Sequence, residues 1–533
     1  MYAVVKKAIV YGSIKQMRDL QYVFPEVSVE AYSDDPEDII QYVANRGYAI
    51  LCKSQKPDIS ARLSAEQYCW DEGLIHSLNF SLKQRSGNKK VVIWGTGNVC
   101  SWFEREYKNE ENIDFFGYID SDQTKWGNKR KGMKILSPAE ISPKEYYVIV
   151  ATNHENFMEI EKELKDAGFT DEYIYYRRLF EDLAAFFRKT YECNVQFPEI
   201  ECPNKDRCVR IKSNGDVCTC CIAYASIYGN LFEQEFEEIW HSRRARIGRL
   251  ALENRTYVNC DQGRCPFLIN REPEAVSNEK QEKWQYEENH MDYPDSIAPE
   301  VDISCNLYCR SCRNEIFIDD NPYLRRYADL VVEKLVHLPS RLLINTVGEL
   351  FVSKSCKYIL YHEKTRKRKA ISIYTNGTML SPDVLDEVLQ IYETIELSIS
   401  IDAATKATYE KLRRNGKFDV LCRNLSYISK KRKENRVSYL QFNYVLQMEN
   451  IEEMDAFIKF AKESGCDMIT INGIEPWGHM TDDEYRKSSV VEERKLKTGL
   501  EKYFTDELIK DEEINFLNIA NIIGAKPRFM YTI

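Results

Sequence analysis

Cys305, Cys309 and Cys312 stand in D-I-S-C-N-L-Y-C-R-S-C, directly after a short apolar, strand-like run from Ile297 to Ser304. Three thiolates on one loop can hold three corners of a cubic iron–sulfur cluster and leave its fourth iron without a protein ligand. A small chelating molecule can fill that position, whereas a four-cysteine site is coordinatively complete. Two plainer readings compete. Zinc wants four ligands, and the nearest histidine, His290, lies fifteen residues upstream of Cys305. Buried free thiols seldom fall three to a loop, and short cysteine motifs need context before they decide anything.

The context is a run of elements that must position the loop. Arg341 to Val347, Ala370 to Thr375, Ile395 to Ile401, Tyr439 to Gln447 and Asp467 to Ile471 read as strands, six with the run before Cys305. Between them, Asn321 to Leu338, Pro382 to Tyr392, Thr405 to Lys430 and Ile451 to Ser464 carry helical apolar spacing. Strands alternating with helices pair in parallel through right-handed crossovers. Functional loops of such folds gather at the C-terminal strand ends, where the cysteine loop sits.

The cysteine spacing resembles the signature of the radical S-adenosylmethionine (SAM) enzymes. The resemblance implies an α/β fold with a partial (β/α)6 barrel in the C-terminal half. It also implies a [4Fe–4S] cluster whose open iron takes the amino and carboxylate groups of SAM. An electron then cleaves SAM to methionine and a 5′-deoxyadenosyl radical, which abstracts a substrate hydrogen. T-V-G-E (Thr346 to Glu349) is similar to the family's G-G-E motif, whose backbone and acid bind the SAM ammonium. Val347 replaces the first glycine, and the role carries to Gly348 and Glu349. Y-T-N-G places Thr375 and Asn376 at the third strand end, and S-I-S-I-D places Ser400 and Asp402 at the fourth, where relatives bind the SAM ribose or shape its pocket. Arg413, in Y-E-K-L-R, matches a basic residue that pairs with a carboxylate in a two-pronged geometry. Singly, these are a loop acid, a turn and a surface arginine; their order at successive strand ends joins them. Ser311 stands where many relatives carry an aromatic that packs on adenine.

Upstream lie Cys202, Cys208, Cys218, Cys220, Cys221, Cys260 and Cys265. S-N-G-D-V-C-T-C-C, then Y-G-N-L-F-E-Q-E-F-E-E-I-W-H-S, then C-x-x-x-x-C-P resembles the SPASM or twitch module, an auxiliary-cluster domain of radical SAM enzymes. The turn at N-G-D delivers Cys220, and a helix around Phe236 to His241 spaces it from the later pair. The match implies Cys208, Cys220, Cys260 and Cys265 as ligands of one auxiliary cluster, with Cys202, Cys218 and Cys221 as spares. A structural zinc site with four cysteine ligands is the alternative. In the family this module usually follows the barrel; here it precedes it.

K-K-V-V-I-W-G-T-G-N-V-C (Lys89 to Cys100), with Asp120 about twenty residues beyond the turn and a later strand from Tyr146 to Thr152, reads as a Rossmann-like βαβ unit. Gly95 and Gly97 would let a phosphate approach a helix N-terminus, but Cys100 replaces the third glycine. The unit resembles nucleotide-binding-type domains found beside sugar-nucleotide and polysaccharide-modifying enzymes, and is either a ligand domain or a docking scaffold. The expected layout is a small α/β unit over 1–85, the Rossmann-like domain over 86–185, the auxiliary module over 190–272, a linker over 273–292 and the barrel with a C-terminal extension over 293–533.

A chain of 533 residues suits several domains. Net charge −10 argues against a nucleic-acid binder. Basic runs at Lys364 to Lys369 and Lys430 to Lys433 read as solvated helix faces. No run of about 18 apolar residues marks a membrane span, Lys6 and Lys7 break the one apolar N-terminal run, and seventeen cysteines without a secretory signal point to a reducing cytoplasm. The expected partners are SAM, a reductant such as flavodoxin or ferredoxin, and a substrate of sugar or sugar-nucleotide type. The alternatives are a ribosomally made peptide as substrate and, in another class, a non-catalytic metal-binding scaffold.

Overall fold

The computed structural model describes residues 7–526 apart from 25–26, 46, 53–58, 64–66, 71–81, 107–111, 153, 177–185, 188, 191, 203–207, 221–226, 261, 263–264, 266, 270, 278–291, 320, 345–346 and 476–479. Cys221, His290, Thr346 and most of the expected linker lie outside the described residues. Two compact units divide the chain, residues 1–193 with 277–284, and residues 194–276 with 285–533. Among the described residues no helix is long and apolar enough to cross a membrane.

Among the described residues, the first unit holds two sheets. Lys7–Tyr11 pairs in parallel with Ser28–Ser33 and Tyr48–Leu51, and Tyr68–Trp70 extends the latter side. In the second sheet Lys90–Trp94 is central. Phe115–Ile119 and then Met133–Leu136 lie to one side, Tyr146–Val150 and Tyr173–Tyr175 to the other, all parallel. Tyr146–Val150 is buried along its whole length, the unbroken apolar run that parallel pairing with both faces covered demands.

In the second unit one sheet spans ten strands: β1 (Cys208–Ile211), β2 (Asp216–Cys218), β3 (Ile227–Asn230), β4 (Ser296–Pro299), β5 (Arg341–Ile344), β6 (Ala370–Thr375), β7 (Thr394–Ser400), β8 (Val437–Leu446), β9 (Met468–Gly473) and β10 (Ile514–Phe516). From β4 to β10 the strands neighbour one another in chain order and pair in parallel. The cysteine-rich segment contributes the hairpin β1–β2–β3, and β1 pairs in parallel with β4. Two strands therefore flank the six read from the sequence, β1 on one side and the three-residue β10 on the other.

Side-chain alternation sorts the two faces. Ile371, Ile373, Ile395, Leu397, Ile399, Leu440, Phe442, Ile469 and Ile471 share one core with the helices. The intervening Ser372, Ser398, Gln441 and Thr470 are buried yet polar. Some are linked, Asn443 Nδ2 donating across to Ser398 Oγ on β7 at 2.7 Å and Gln441 Nε2 donating along β8 to Asn443 Oδ1 at 2.8 Å. A closed (β/α)8 barrel fills that face with branched apolar residues; this one is hydrogen-bonding.

Helices start where caps allow. Ser381 caps Pro382–Ile391 by accepting the Val384 N–H, with proline at the first turn. The helix expected over Thr405 to Lys430 is two, Lys406–Leu412 and Phe418–Lys433. Asn415 takes φ +71° in the gap, before Gly416, whose N–H turns back to Arg413 O at 2.8 Å, while the Arg414 carbonyl accepts from the cysteine loop.

Candidate functional site

Five residues after β4, the cysteine loop opens with its backbone tied down. Cys305 N–H donates to Phe317 O at 2.8 Å, and Asp319 N–H to Ser304 Oγ at 2.9 Å. Cys312 and Arg313 N–H both donate to Cys309 O, at 2.9 and 3.0 Å. The segment after Leu412 straps the loop from outside. Arg310 N–H reaches Leu412 O at 2.9 Å, and Tyr308 N–H reaches Arg414 O at 3.2 Å. Arg414 Nε returns to Tyr308 O at 2.9 Å, and Asn415 Nδ2 to Asn306 O at 2.8 Å. Arg310 also pairs with Glu449, beyond β8. Sequence reasoning missed these straps; the clue was the polar run Arg413-Arg414-Asn415 ending an otherwise periodic helix.

Gly348 and Glu349 come up beside the loop. A Cβ on Gly348 would lie 2.6 Å from Asp302 O and 2.7 Å from Ser304 O, so only glycine admits this approach. Glu349 N–H donates to Ser304 O at 2.7 Å. Its carboxylate is fully buried, with Thr375 Oγ1 (2.8 Å) and Phe351 N–H (3.3 Å) on one oxygen and Asn376 N–H (2.7 Å) on the other. Burial pushes its pKa up, against those hydrogen bonds. Asn376 links this acid to the cysteines, its Nδ2 lying 2.9 Å from Asn306 Oδ1 and 3.8 Å from Cys305 Sγ.

On the other side, Asp402 and Arg413 form a buried ion pair, with Arg413 Nε and Nη2 at 2.9 and 2.8 Å from Asp402 Oδ2. The second carboxylate oxygen accepts Val445 N–H at 2.7 Å. Arg413 Nη1 points to Cys309 Sγ at 3.9 Å. Ser400 ends β7 half-buried, in register with Asn443.

The donor set fits a cluster with one open corner. Three sulfurs share a loop, N–H groups of Leu307, Asn376 and Arg413 aim at two of them, and a buried carboxylate stands alongside. Burial pushes the Cys309 thiol up to about 11, with Arg413 pulling it back, and raises Cys305 too; iron is what would make such thiols ligands. Among the described residues no group of three or more His, Cys, Asp or Glu side chains is placed to hold a single metal ion.

The upstream cysteines fall into two places. Cys208 is buried on β1 against Ala298 and Leu343, with Cys220 and Tyr374 packed beside it. Cys202, Cys260 and Cys265 pack around Phe197, Tyr257 and Leu268. There Tyr257 ties two of the strand-less segments, its hydroxyl accepting Cys202 N–H at 3.1 Å and its carbonyl Cys260 N–H at 2.9 Å. Cys218 is buried on β2, its thiol pushed up to about 12 by burial.

In the first unit, a Cβ on Gly95 (φ +119°) would strike Ala151 O at 2.6 Å, whereas one on Gly97 would meet nothing within 4 Å. The Asp120 carboxylate is taken by its own surroundings, accepting from Thr96 Oγ1, from Asp122 N–H at 2.9 Å and from Lys125 Nζ at 3.1 Å.

Comparison with known proteins bears on each segment. Residues 303–461 match the model of the radical SAM superfamily, 202–266 that of the iron–sulfur cluster-binding SPASM domain, and 87–175 that described as C2185-like, N-terminal. The mycofactocin maturase MftC of Mycobacterium tuberculosis (strain CDC 1551 / Oshkosh) is 23% identical over 196 residues, 37% of this chain and 48% of the relative. The antilisterial bacteriocin subtilosin biosynthesis protein AlbA of Bacillus subtilis is 22% identical over 216 residues, 39% of this chain and 46% of the relative. The chain thus spans about half the length of the curated relatives it matches. The crystal structure of Streptococcus suis SuiB bound to S-adenosylmethionine is 14% identical, covering 58% of this chain and 71% of that one, with a TM-score of 0.31, too loose a superposition to argue from.

Proposed function

We propose that this chain, which carries a radical SAM domain and, ahead of it, a SPASM iron–sulfur domain, is an enzyme that takes a hydrogen from a peptide substrate. The observation that carries the proposal is the cysteine loop itself, tied by Asn376 to the buried Glu349 and by Arg413 to Asp402. A [4Fe–4S] cluster and SAM, when bound, supply the electron and the 5′-deoxyadenosyl radical. Cys305, Cys309 and Cys312 hold the cluster. Gly348 lets the Glu349 strand end close on the loop, and Glu349, fixed by Thr375 and Asn376, presents the acceptor for the SAM ammonium. Ser400, at the end of β7, borders the same space.

The peptide reading draws on the relatives, one named a maturase and another a bacteriocin biosynthesis protein; neither name supports the sugar-type substrate expected from the sequence. In the first unit, Gly95 serves strand packing and Asp120 holds its own turn, which favours a scaffold over a dinucleotide site. In the SPASM segment, Cys202, Cys260 and Cys265 serve one auxiliary cluster, with Cys208 a packing residue of β1.

The test is 5′-deoxyadenosine release from SAM by anaerobically reconstituted, dithionite-reduced protein, beside Cys305→Ala. Release from the wild type that disappears in the variant supports the reading. A wild type loaded with iron and sulfide that releases none, with or without peptides encoded beside its gene, refutes it.

A further inference from the structure

Arg413 is 7% exposed and Asp402 2% exposed, so water screens neither. The pair has a direction. Both Arg413 bonds to Asp402 use one oxygen, Oδ2, while the remaining arm, Nη1, faces Cys309 Sγ at 3.9 Å. Asp402 is fixed behind it: its Oδ1 takes Val445 N–H, its carbonyl takes Asn450 Nδ2 at 2.9 Å, and its backbone sits at φ +65°. The positive end of a buried dipole is therefore anchored at a ligand sulfur, with the negative end held away from it. Hydrogen bonds and charge at the sulfurs are levers on a cluster's reduction potential, and they act strongly where the surroundings are dry.

We propose that Arg413, oriented by Asp402, is a positioning residue that raises the reduction potential of the cluster held by Cys305, Cys309 and Cys312. The proposal rests on the radical SAM reading of the loop, and it gives both residues a task other than touching SAM. Its sign follows from electrostatics. Reduction adds negative charge, which a nearby cation favours. Removing the guanidinium lowers the potential. Neutralising Asp402 leaves the guanidinium uncompensated and raises it. A role confined to packing would not move the two variants in opposite directions.

The experiment compares wild type, Arg413→Gln, Arg413→Lys and Asp402→Asn after anaerobic reconstitution. Asparagine tolerates the left-handed backbone at position 402. Iron and sulfide per chain are measured first, then the potential by EPR-monitored potentiometry without SAM. The expected result is a negative shift for Arg413→Gln, a smaller negative shift for Arg413→Lys and a positive shift for Asp402→Asn. Unchanged potentials in cluster-loaded variants, or shifts of one sign for both neutralising variants, overturn the proposal. If Arg413→Gln fails to hold a cluster, Asp402→Asn decides alone: a positive shift upholds the proposal and any other result overturns it. A wild type that holds no cluster at Cys305, Cys309 and Cys312 instead refutes the radical SAM reading beneath it.

Discussion

Replacing Gly348 by alanine tests how the site is assembled. The added Cβ would lie 2.6 Å from Asp302 O, 2.7 Å from Ser304 O and 3.0 Å from the Ile303 carbonyl carbon. All three are backbone atoms of the segment leading into Cys305, and none can swing aside as a flexible side chain would. That segment is also held in place: Ser304 O accepts Glu349 N–H, Ser304 N–H bonds Asp302 Oδ1 at 2.6 Å, and the Asp302 carboxylate is bonded by Ser353. Relief requires the cysteine segment or the Glu349 turn to retreat by roughly half an ångström, and overpacking of this kind costs about 1–3 kcal/mol. Catalytic geometry is lost at about a hundredfold per ångström, so SAM cleavage should fall by roughly tenfold or more. The assays are thermal unfolding, iron and sulfide per reconstituted chain, and 5′-deoxyadenosine release. Gly97→Ala is the control, because its Cβ would meet nothing within 4 Å. A Gly348→Ala protein with wild-type melting, cluster content and SAM cleavage would refute the reasoning.

Three further outcomes are expected. Glu349→Gln should lower stability by about 1–3 kcal/mol by denaturant titration: each carboxylate oxygen receives a backbone N–H, from Phe351 and from Asn376, so either amide orientation turns an NH2 against one of them. Cys202→Ala should cost the reconstituted protein iron and sulfide, whereas Cys208→Ala should keep both; equal loss would contradict the assignment of Cys208 to packing. Glu104 is half-hidden in the first unit, and although burial opposes it, hydrogen bonds from Arg130 and Tyr118 pull its carboxyl down to about 2. A depressed acid stabilises above its ordinary value, near 4.5, and that stability is lost as pH falls toward 2. Glu104→Gln should therefore cost about 1–2 kcal/mol at neutral pH, after allowance for the partly exposed Arg130, with the gap in melting temperature closing across that acid window.

Much of the central sheet was legible because its strands alternate so regularly. Ile371-Ser-Ile373 on β6 and Leu397-Ser-Ile399-Ser on β7 place an apolar residue on the helix side at every second position, and the period-two signal survives without tertiary information. The strand ends came with it, since Asn376 and Asp402 lie within two residues of a strand's end and Glu349 and Cys305 within six. What stayed hidden depends on distant pairing. β10 is three residues long, and only its neighbour β9 makes it a strand. The break at Asn415 followed from backbone bonds to a loop a hundred residues away, which override a periodic helix pattern. The auxiliary cysteines were the least legible, because spacing along the chain says nothing of which face of β1 Cys208 takes. Asp402 and Arg413 were picked out by motif, but their mutual pairing depended on burial that no motif encodes.

The parallel seam between β1 and β4 has a consequence for dissecting the molecule. Cys208–Ile211 supplies the hydrogen-bonding neighbour for Ser296–Pro299, and Arg210 closes the seam with a 2.7 Å ion pair to Glu300. A shortened protein beginning after the cysteine-rich segment would bare that strand's backbone along an apolar margin, and naked margins of this sort recruit other chains. Such a fragment is expected to self-associate when made alone, and to become monodisperse when residues 194–276 are returned, even as a separate polypeptide. The cysteine-rich segment is thus a selvedge woven into the sheet, and it protects the cloth whether or not its own metal is ever loaded.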